Sequence, residues 1–311
     1  MKNTVKTVII VIEAVLIVAL SLVLFYMKKN TKEAVQTMGD GSDIDYSDIE
    51  RKVAENYYGL SGKKILMDIG TYGEIMIPAI ESVPAFSKDK DMLRGRNGRM
   101  YYIENESVKS ILGVDVSVHQ GDINWEKVRD SGISFAMIRL GYRGYGTGES
   151  EIDEKFVDNV KGAREAGVNA GVYFFSQAIT AREAIEEAEL VINNLKDLDI
   201  NYPVVFDWEM ISEDSARTDD ISVDILTDCC VAFCETIKNA GYTPMIYQNK
   251  RTSIFKLDLN RLNDYEFWLA EYNDTPTYYY DFDMWQYTSS GRVPGIKGKV
   301  DMNISFKDYS K

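Results

Sequence analysis

Histidine, cysteine and proline are scarce in this chain of 311 residues, which has one histidine, three cysteines and six prolines. Zinc centres and other multi-histidine sites need several such ligands, so the composition argues against a metal centre. The cysteines, Cys229, Cys230 and Cys234, are odd in number and close in sequence, which is unlike a disulfide framework. We therefore expect no metal and no cofactor, and three buried thiols that serve as small apolar side chains.

Positive charge is also in short supply, since 35 lysines and arginines face 49 acidic residues and the net charge is -14. An acidic surface repels phosphate backbones, which excludes nucleic acid as a partner. With one histidine available, hydrolytic chemistry in this chain would have to rely on carboxylates. The length suits one large domain with appendages or two ordinary domains.

Residues 8–26 form the one long apolar run, which is interrupted only by Glu13. This length can span a bilayer as a helix. A cleaved signal peptide and a buried core helix are the alternatives, but the run continues past the poor cleavage site at residues 19–21, which favours an uncleaved anchor. We predict a cytoplasmic tip and transmembrane signal anchor over residues 1–27, although lysines on both sides leave its orientation open.

Between this run and residue 111 the sequence predicts two further segments. Residues 28–58 are polar and acidic and are expected to form a tether with a short helix. Residues 59–110 contain short apolar runs and the pair Asn97-Gly98, which is a strong hairpin signal. This segment is too small to fold alone, so we expect it to dock on the domain that follows.

From residue 111 to residue 311 strand-like and helix-like stretches alternate. Five βα units are followed by three strand-like runs with no helix between them, which makes eight strands. Alternation of this kind indicates a parallel sheet, and eight strands can close it into a barrel whose active site lies at the carboxyl ends of the strands. The predicted fold is α/β, an irregular (β/α)5(β)3 TIM-like barrel.

The strand-like run from Pro203 ends in Asp207 and Glu209. Residues i and i+2 of a strand project from one face, about 6 to 7 Å apart. Acid-catalysed cleavage of glycosides needs such a pair, one acid to protonate the leaving oxygen and one charge to stabilise the developing cation. Two solvated or salt-bridged acids at a strand end are the alternative.

Seven motifs, including this pair, end the predicted strands in a definite order. They are Gly113–Gly121, Ile138–Arg139, Gly171–Phe175, Asp207–Glu209, Trp268–Tyr272, Trp285–Ser289 and Val300–Asn303. This series closely resembles glycoside hydrolase family 25, the Chalaropsis-type lysozymes that cut bacterial peptidoglycan, and the resemblance covers residues 111 to about 307. It implies an irregular barrel of five βα units and three closing strands. It also implies an N-acetylmuramidase that cleaves the β-1,4 bond between N-acetylmuramic acid and N-acetylglucosamine.

The resemblance places the acidic positions of the family on Asp115, Asp207, Glu209 and Asp301. It implies that Glu209 is the general acid and base, with a raised pKa. Asp207 would orient or polarise the 2-acetamido group of the sugar, so that hydrolysis is retaining and assisted by the substrate. Asp115 and Asp301 would tune Glu209 and bind the sugar.

Other side chains at the same strand ends are expected to form the substrate groove, because aromatic faces pack on the C–H faces of sugar rings. The predicted groove residues are Tyr173, Tyr247, Tyr272, Trp285, Gln286, Arg139 and Gln120. A place in the core is the preferred alternative for Phe175 and Trp208, and an ion pair is the alternative for Arg139. His119 is assigned a structural role or a place at the substrate edge.

Two other functions compete with muramidase activity. A chitinase-like barrel also ends a strand in D-x-E, but it extends the acidic pattern backwards, where this chain has Val205 and no acid at residues 201–203. A wall-binding or scaffold protein without activity would not need to bury four acids together. The expected partners are peptidoglycan glycan strands and, through the N-terminal helix, the membrane. Because peptidoglycan is external, the catalytic domain is expected outside a single-pass membrane anchor.

Overall fold

A computed structural model describes residues 63–68, 73–211 and 214–311. The chain divides into two compact units, Met1–Gly62 and Lys63–Lys311, and only the second is described below. The predicted anchor and tether lie outside the described residues and stay predictions. Within the described ranges, no helix has the length and apolar character needed to cross a bilayer.

The unit begins with short antiparallel strands. The first two, β1 (Lys64–Asp68) and β2 (Glu74–Pro78), pair with each other. A three-stranded sheet follows, made of β3 (Leu93–Arg96), β4 (Arg99–Glu104) and β5 (Ser107–Val108). The predicted hairpin therefore joins β3 to β4, with Asn97 and Gly98 as its two turn residues.

The rest of the unit is a barrel. Its strands are β6 (Ile111–Val116), β7 (Phe135–Arg143), β9 (Asn169–Ser176), β10 (Val204–Trp208), β11 (Pro244–Asn249), β12 (Glu266–Ala270), β13 (Met284–Gly291) and β14 (Val300–Ser305), and the short β8 (Ser150–Ile152) pairs with the end of β7. Since β6 pairs with both β7 and β14, these eight strands close the barrel, and the prediction of eight is confirmed. The sequence analysis missed β8.

Six α-helices connect these strands. They are α1 (Trp125–Asp130), α2 (Phe156–Ala166), α3 (Ala181–Leu195), α4 (Val223–Asn239), α5 (Lys250–Lys256) and α6 (Leu259–Leu262). The side chains of Asn124, Thr180 and Ser222 cap the first turns of α1, α3 and α4, and each accepts a hydrogen bond from a backbone N–H. Gly167, at φ 84°, ends α2 in the left-handed conformation.

Seven of the eight barrel strands run in one direction, and β14 runs against its two neighbours. The start of β14 therefore lies beside the carboxyl ends of the other strands. The lower interior of the barrel is packed with apolar side chains such as Phe135, Met137 and Met245. Gly113 makes room for this layer, because a Cβ atom there would lie 2.3 Å from the Phe135 ring. Above this apolar layer, at the carboxyl ends of the parallel strands, polar residues face the interior; this end is called the top of the barrel below.

The closing strands are covered differently from the others. Residues 271–299, all of them described, contain no helix to shield the outer faces of β12 and β13. Residues 73–110 contact this region instead: Phe86 stacks on Phe282 with ring centres 4.2 Å apart, and Tyr102 meets Phe306 edge to face at 5.6 Å. Burial of these rings gives the N-terminal strands a hydrophobic reason to pack on the barrel.

Candidate active site

Four carboxylates meet at the top of the barrel. Asp115 lies near the end of β6, Asp207 lies in β10, and Glu209 follows the end of that strand. Asp301 stands at the start of the antiparallel β14, directly opposite Asp115 in the register. All four line one pocket of about 300 Å³. Closure of the barrel thus gathers the acidic residues from the start, the middle and the end of the domain.

These carboxylates share a poorly solvated environment. Asp115 is 7 % exposed and Asp207 is 5 % exposed. The pKa of Asp115 is raised to about 8, mainly by burial and secondly by the charge of Asp301. The pKa of Asp207 is raised well above its ordinary value, mainly by burial and secondly by the charges of Glu209 and Asp115. The positive charge of Arg139 opposes this shift.

The same forces act on the other two acids. Burial and the charge of Asp301 raise the pKa of Glu209, and burial raises the pKa of Asp301 itself. A raised pKa favours the protonated form of a carboxyl group, which is the form that a general acid requires.

A hydrogen-bond network fixes Asp115. Its Oδ2 atom accepts from Gln286 Nε2 at 2.9 Å and from Asn303 Nδ2 at 2.8 Å. The indole Nε1 of Trp268 donates to Asn303 Oδ1 at 2.9 Å, which orients that amide. The Oε1 atom of Gln286 accepts from the Tyr247 hydroxyl at 2.9 Å and from the Tyr272 hydroxyl at 2.8 Å. These hydrogen bonds fix the orientation of Asp115 in the wall of the pocket.

Two side-chain amides hold the backbone at residues 208 and 209, next to Asp207. The side-chain amide of Gln248 donates to the carbonyl of Trp208 at 2.7 Å, and that of Gln177 donates to the carbonyl of Glu209 at 3.0 Å. Among the described residues, the Oδ1 atom of Asp207 is buried without a hydrogen-bond partner. Since an unpaired buried oxygen costs free energy, this atom is suited to accept a hydrogen bond from a ligand.

Six of the seven predicted groove residues line the pocket, namely Tyr173, Tyr247, Tyr272, Gln286, Arg139 and Gln120. Two of them also have structural partners. The Nε atom of Arg139 lies 2.8 Å from Asp153 Oδ2, so Arg139 forms an ion pair, with an acid outside the four carboxylates of the site. Gln120 Oε1 accepts from the backbone N–H of Ser117 at 2.8 Å and caps a short 3-10 turn. His119 is exposed at the rim of the pocket.

The structure contradicts the seventh prediction. Trp285 is fully buried beside Tyr287, and its Nε1 atom donates to the carbonyl of Glu271 at 2.8 Å. Because side chains alternate along a strand, Trp285 cannot share the inner face with its neighbour Gln286. Phe175, for which a core position was preferred, lines the pocket, whereas Trp208 is buried as expected.

The sequence analysis did not single out Asn303 and Trp268. Asn303 stands two residues after Asp301 on a strand, so period-two alternation could have placed it on the same face. No local signal shows that Trp268 donates to it, because the two lie on different strands. Among the described residues, no group of three or more His, Cys, Asp or Glu side chains is arranged to hold a metal ion.

From the raised pKa of Asp115 we predict how the free energy of unfolding depends on pH. The folded-state pKa of about 8 lies above the unfolded value, so the stability contribution of the protonated group is present at low pH and is lost as pH rises through 8. Asp115→Asn keeps an oxygen for the two amide donors and carries no charge. We expect it to raise the free energy of unfolding at pH 8 by at least about 1 kcal/mol relative to its effect at pH 4.5.

Urea unfolding of the wild type and of Asp115→Asn at both pH values measures this difference. Asp264→Asn, at an exposed position, is the matched control and should show little change between the two pH values. A stabilisation by Asp115→Asn that does not grow from pH 4.5 to pH 8 would contradict the prediction.

The sequence of this chain is similar to those of known proteins. Residues 114–296 match the family "Glycosyl hydrolases family 25". The autolytic lysozyme of Clostridium acetobutylicum is 26 % identical over 193 residues, which cover 61 % of this chain and 54 % of that protein. Lysozyme M1 of Streptomyces globisporus is 27 % identical over 207 residues, which cover 62 % of this chain and 67 % of that protein.

A solved structure is also similar. The modular autolysin LytC of Streptococcus pneumoniae, in complex with a synthetic peptidoglycan ligand, is 25 % identical with a TM-score of 0.56. The match covers 78 % of this chain and 58 % of that one. This chain therefore spans little more than half the length of the autolytic lysozyme and of this autolysin.

Proposed function

The chain belongs to glycosyl hydrolases family 25, and from this membership we propose that it hydrolyses peptidoglycan as an N-acetylmuramidase. The bond cut would be the β-1,4 bond between N-acetylmuramic acid and N-acetylglucosamine. The observation that carries the proposal is the meeting of Asp115, Asp207, Glu209 and Asp301 in one pocket of about 300 Å³. Similarity to lysozymes and to an autolysin supports the same substrate.

In the proposed mechanism Glu209 is the general acid and base. It gives its proton to the glycosidic oxygen as the bond breaks, while the carbonyl oxygen of the 2-acetamido group attacks the anomeric carbon. Water then opens this intermediate, and Glu209 takes the proton from that water, so the anomeric configuration is retained. The raised pKa of Glu209 supports the role of proton donor.

Asp207 is proposed to orient the acetamido group. Its buried Oδ1 atom, without a partner among the described residues, is available to accept from the acetamido N–H. As positive charge develops on that group, a carboxylate in a poorly solvated pocket stabilises it more strongly than water would. Tyr173, Tyr247 and Tyr272 line the same pocket, and aromatic rings are suited to pack on the C–H faces of sugars.

A chitinase-like activity is disfavoured by the barrel interior. Val205 packs in the apolar layer directly below Asp207, at the position where the longer acidic pattern would place a carboxylate. An acid there would have to displace this packing.

Mass analysis of the products tests the proposed bond. Purified peptidoglycan digested by the protein should yield muropeptides that carry N-acetylmuramic acid at the new reducing end. Reduction with borohydride before mass spectrometry labels that end, and a hydrolase that cuts the other glycosidic bond provides the control. N-acetylglucosamine at the new reducing end would overturn the assignment.

The apolar run at residues 8–26 is proposed to anchor the protein in the cell membrane. Since the proposed substrate is external, residues 1–7 would lie in the cytoplasm and the catalytic domain outside. Protease added to intact, wall-stripped cells should then remove the catalytic domain and spare a cytoplasmic marker protein. Full protection of the domain would contradict this topology.

A further inference from the structure

A second pocket adjoins the catalytic one. Its volume is about 620 Å³, and Tyr272 lines both pockets. One wall is the turn of the β3–β4 hairpin, residues 95–100, and the other contains Asn273, Asp274 and Thr288. The hairpin precedes residues 114–296, which match the family, so this pocket is built partly by residues outside the matched range.

Turn geometry and core packing fix the backbone of the hairpin that forms this wall. Asn97 and Gly98 have φ values of 52° and 73°, as a tight two-residue hairpin turn requires, and this turn places Arg96 directly opposite Arg99. Met100 is buried, and Tyr102 packs against the barrel residue Phe306. The backbone that carries Arg96 is therefore held in position by the core.

The charge of this wall differs from that of the whole chain. Residues 93–100 contain three arginines and no acid, in a protein whose net charge is -14. Like charges directly opposite each other on paired strands are unfavourable, so the Arg96 and Arg99 pair is not explained by stability. The Arg99 guanidinium donates to the Ser131 carbonyl. Arg96 is exposed, and none of the salt bridges among the described residues includes it.

We propose that this second pocket binds the stem peptide carried by an N-acetylmuramic acid residue of the glycan, with Arg96 as the anchor for a peptide carboxylate. The inference rests on the proposed function. Stem peptides hang from the lactyl group of the sugar and carry free carboxylates and an amine. A guanidinium matches a carboxylate in two parallel hydrogen bonds, and Asp274 in the opposite wall suits the amine. Tyr272 is 54 % exposed and lies between the two pockets. The sugar would bind on one side of it and the stem peptide on the other.

The test compares two substrates with the full chain. One is peptidoglycan with its stem peptides, and the other is the same glycan after an amidase has removed them. We expect the wild type to prefer the peptide-bearing strands, and Arg96→Gln to lower the ratio of the two kcat/KM values by about tenfold, as loss of one charge-assisted interaction implies. Arg94→Gln is the matched control, since Arg94 lies on the same strand but does not line the pocket. It should keep the wild-type ratio.

A binding measurement separates this inference from the proposed function. Calorimetry should show that a soluble disaccharide with its stem peptide binds more tightly than the bare disaccharide, and that Arg96→Gln removes this difference. If the wild type cuts neither glycan but Arg96→Gln still removes the difference in binding, the proposed function fails and the peptide pocket stands. If the wild type cuts both glycans and Arg96→Gln keeps both the kinetic ratio and the binding difference, the peptide pocket is overturned and the proposed function stands.

Discussion

Replacement of Glu209 by glutamine is expected to lower muropeptide release by about two orders of magnitude or more. Glutamine keeps the size and shape of the side chain but has no proton to give to the glycosidic oxygen. The fold should survive, because Gln177 contacts the backbone of Glu209 rather than its carboxylate. Release of soluble muropeptides from purified peptidoglycan, followed by chromatography, measures the effect.

Glu154→Gln provides the matched control, because Glu154 is exposed and does not line the catalytic pocket. It should release muropeptides at the wild-type rate. Thermal unfolding of both variants shows whether a loss of activity has a structural cause. Turnover close to wild type in a folded Glu209→Gln protein would remove Glu209 from the proposed role, and the neighbouring acids would have to be tested in its place.

Replacement of Asp207 by asparagine is expected to be nearly as damaging, with a loss of about two orders of magnitude in kcat. A neutral amide cannot stabilise the positive charge that develops on the participating acetamido group. Because Asp207 is buried with Glu209 and Asp115 as like-charged neighbours, removal of its charge should leave the protein as stable as the wild type or slightly more so. Single-turnover kinetics and urea unfolding at neutral pH measure the two effects.

Asp220→Asn is the control for this variant, since Asp220 is an exposed acid outside the pocket. For Asp207→Asn, kcat should fall while the free energy of unfolding stays the same or rises slightly, and for Asp220→Asn both should stay unchanged. Unchanged kcat in Asp207→Asn would argue against participation of the acetamido group. A large loss of stability would instead show that Asp207 serves the fold.

The pattern of the sequence was sufficient for the barrel and for much of its site. Five apolar runs that alternate with helical stretches, and three further runs without helices between them, predicted eight strands. Period-two alternation predicted that the two acids at the end of β10 project from one face. These are local properties, because they depend on the spacing of residues along a single strand or helix. Six of the seven predicted groove residues, which were chosen at the ends of the predicted strands, line the pocket.

Only the tertiary structure decided which side chains of each strand point into the barrel. Alternation shows that Trp285 and Gln286 face opposite sides, but not which side is inward. Closure of the barrel turns Gln286 to Asp115 and leaves Trp285 in the surrounding core. A hydrogen bond such as that from Trp268 to Asn303 depends on which strands become neighbours.

The electrostatics of the site and its second pocket also come from the tertiary structure. The pKa of Asp115 depends on burial and on Asp301, which is its neighbour only because β14 runs antiparallel to β6. The sequence alone could predict a hairpin at Asn97, but it could not place Arg96 across a pocket from Asp274. Charge–charge energies and cavity walls depend on distances between distant parts of the chain, and those distances exist only once the barrel has closed.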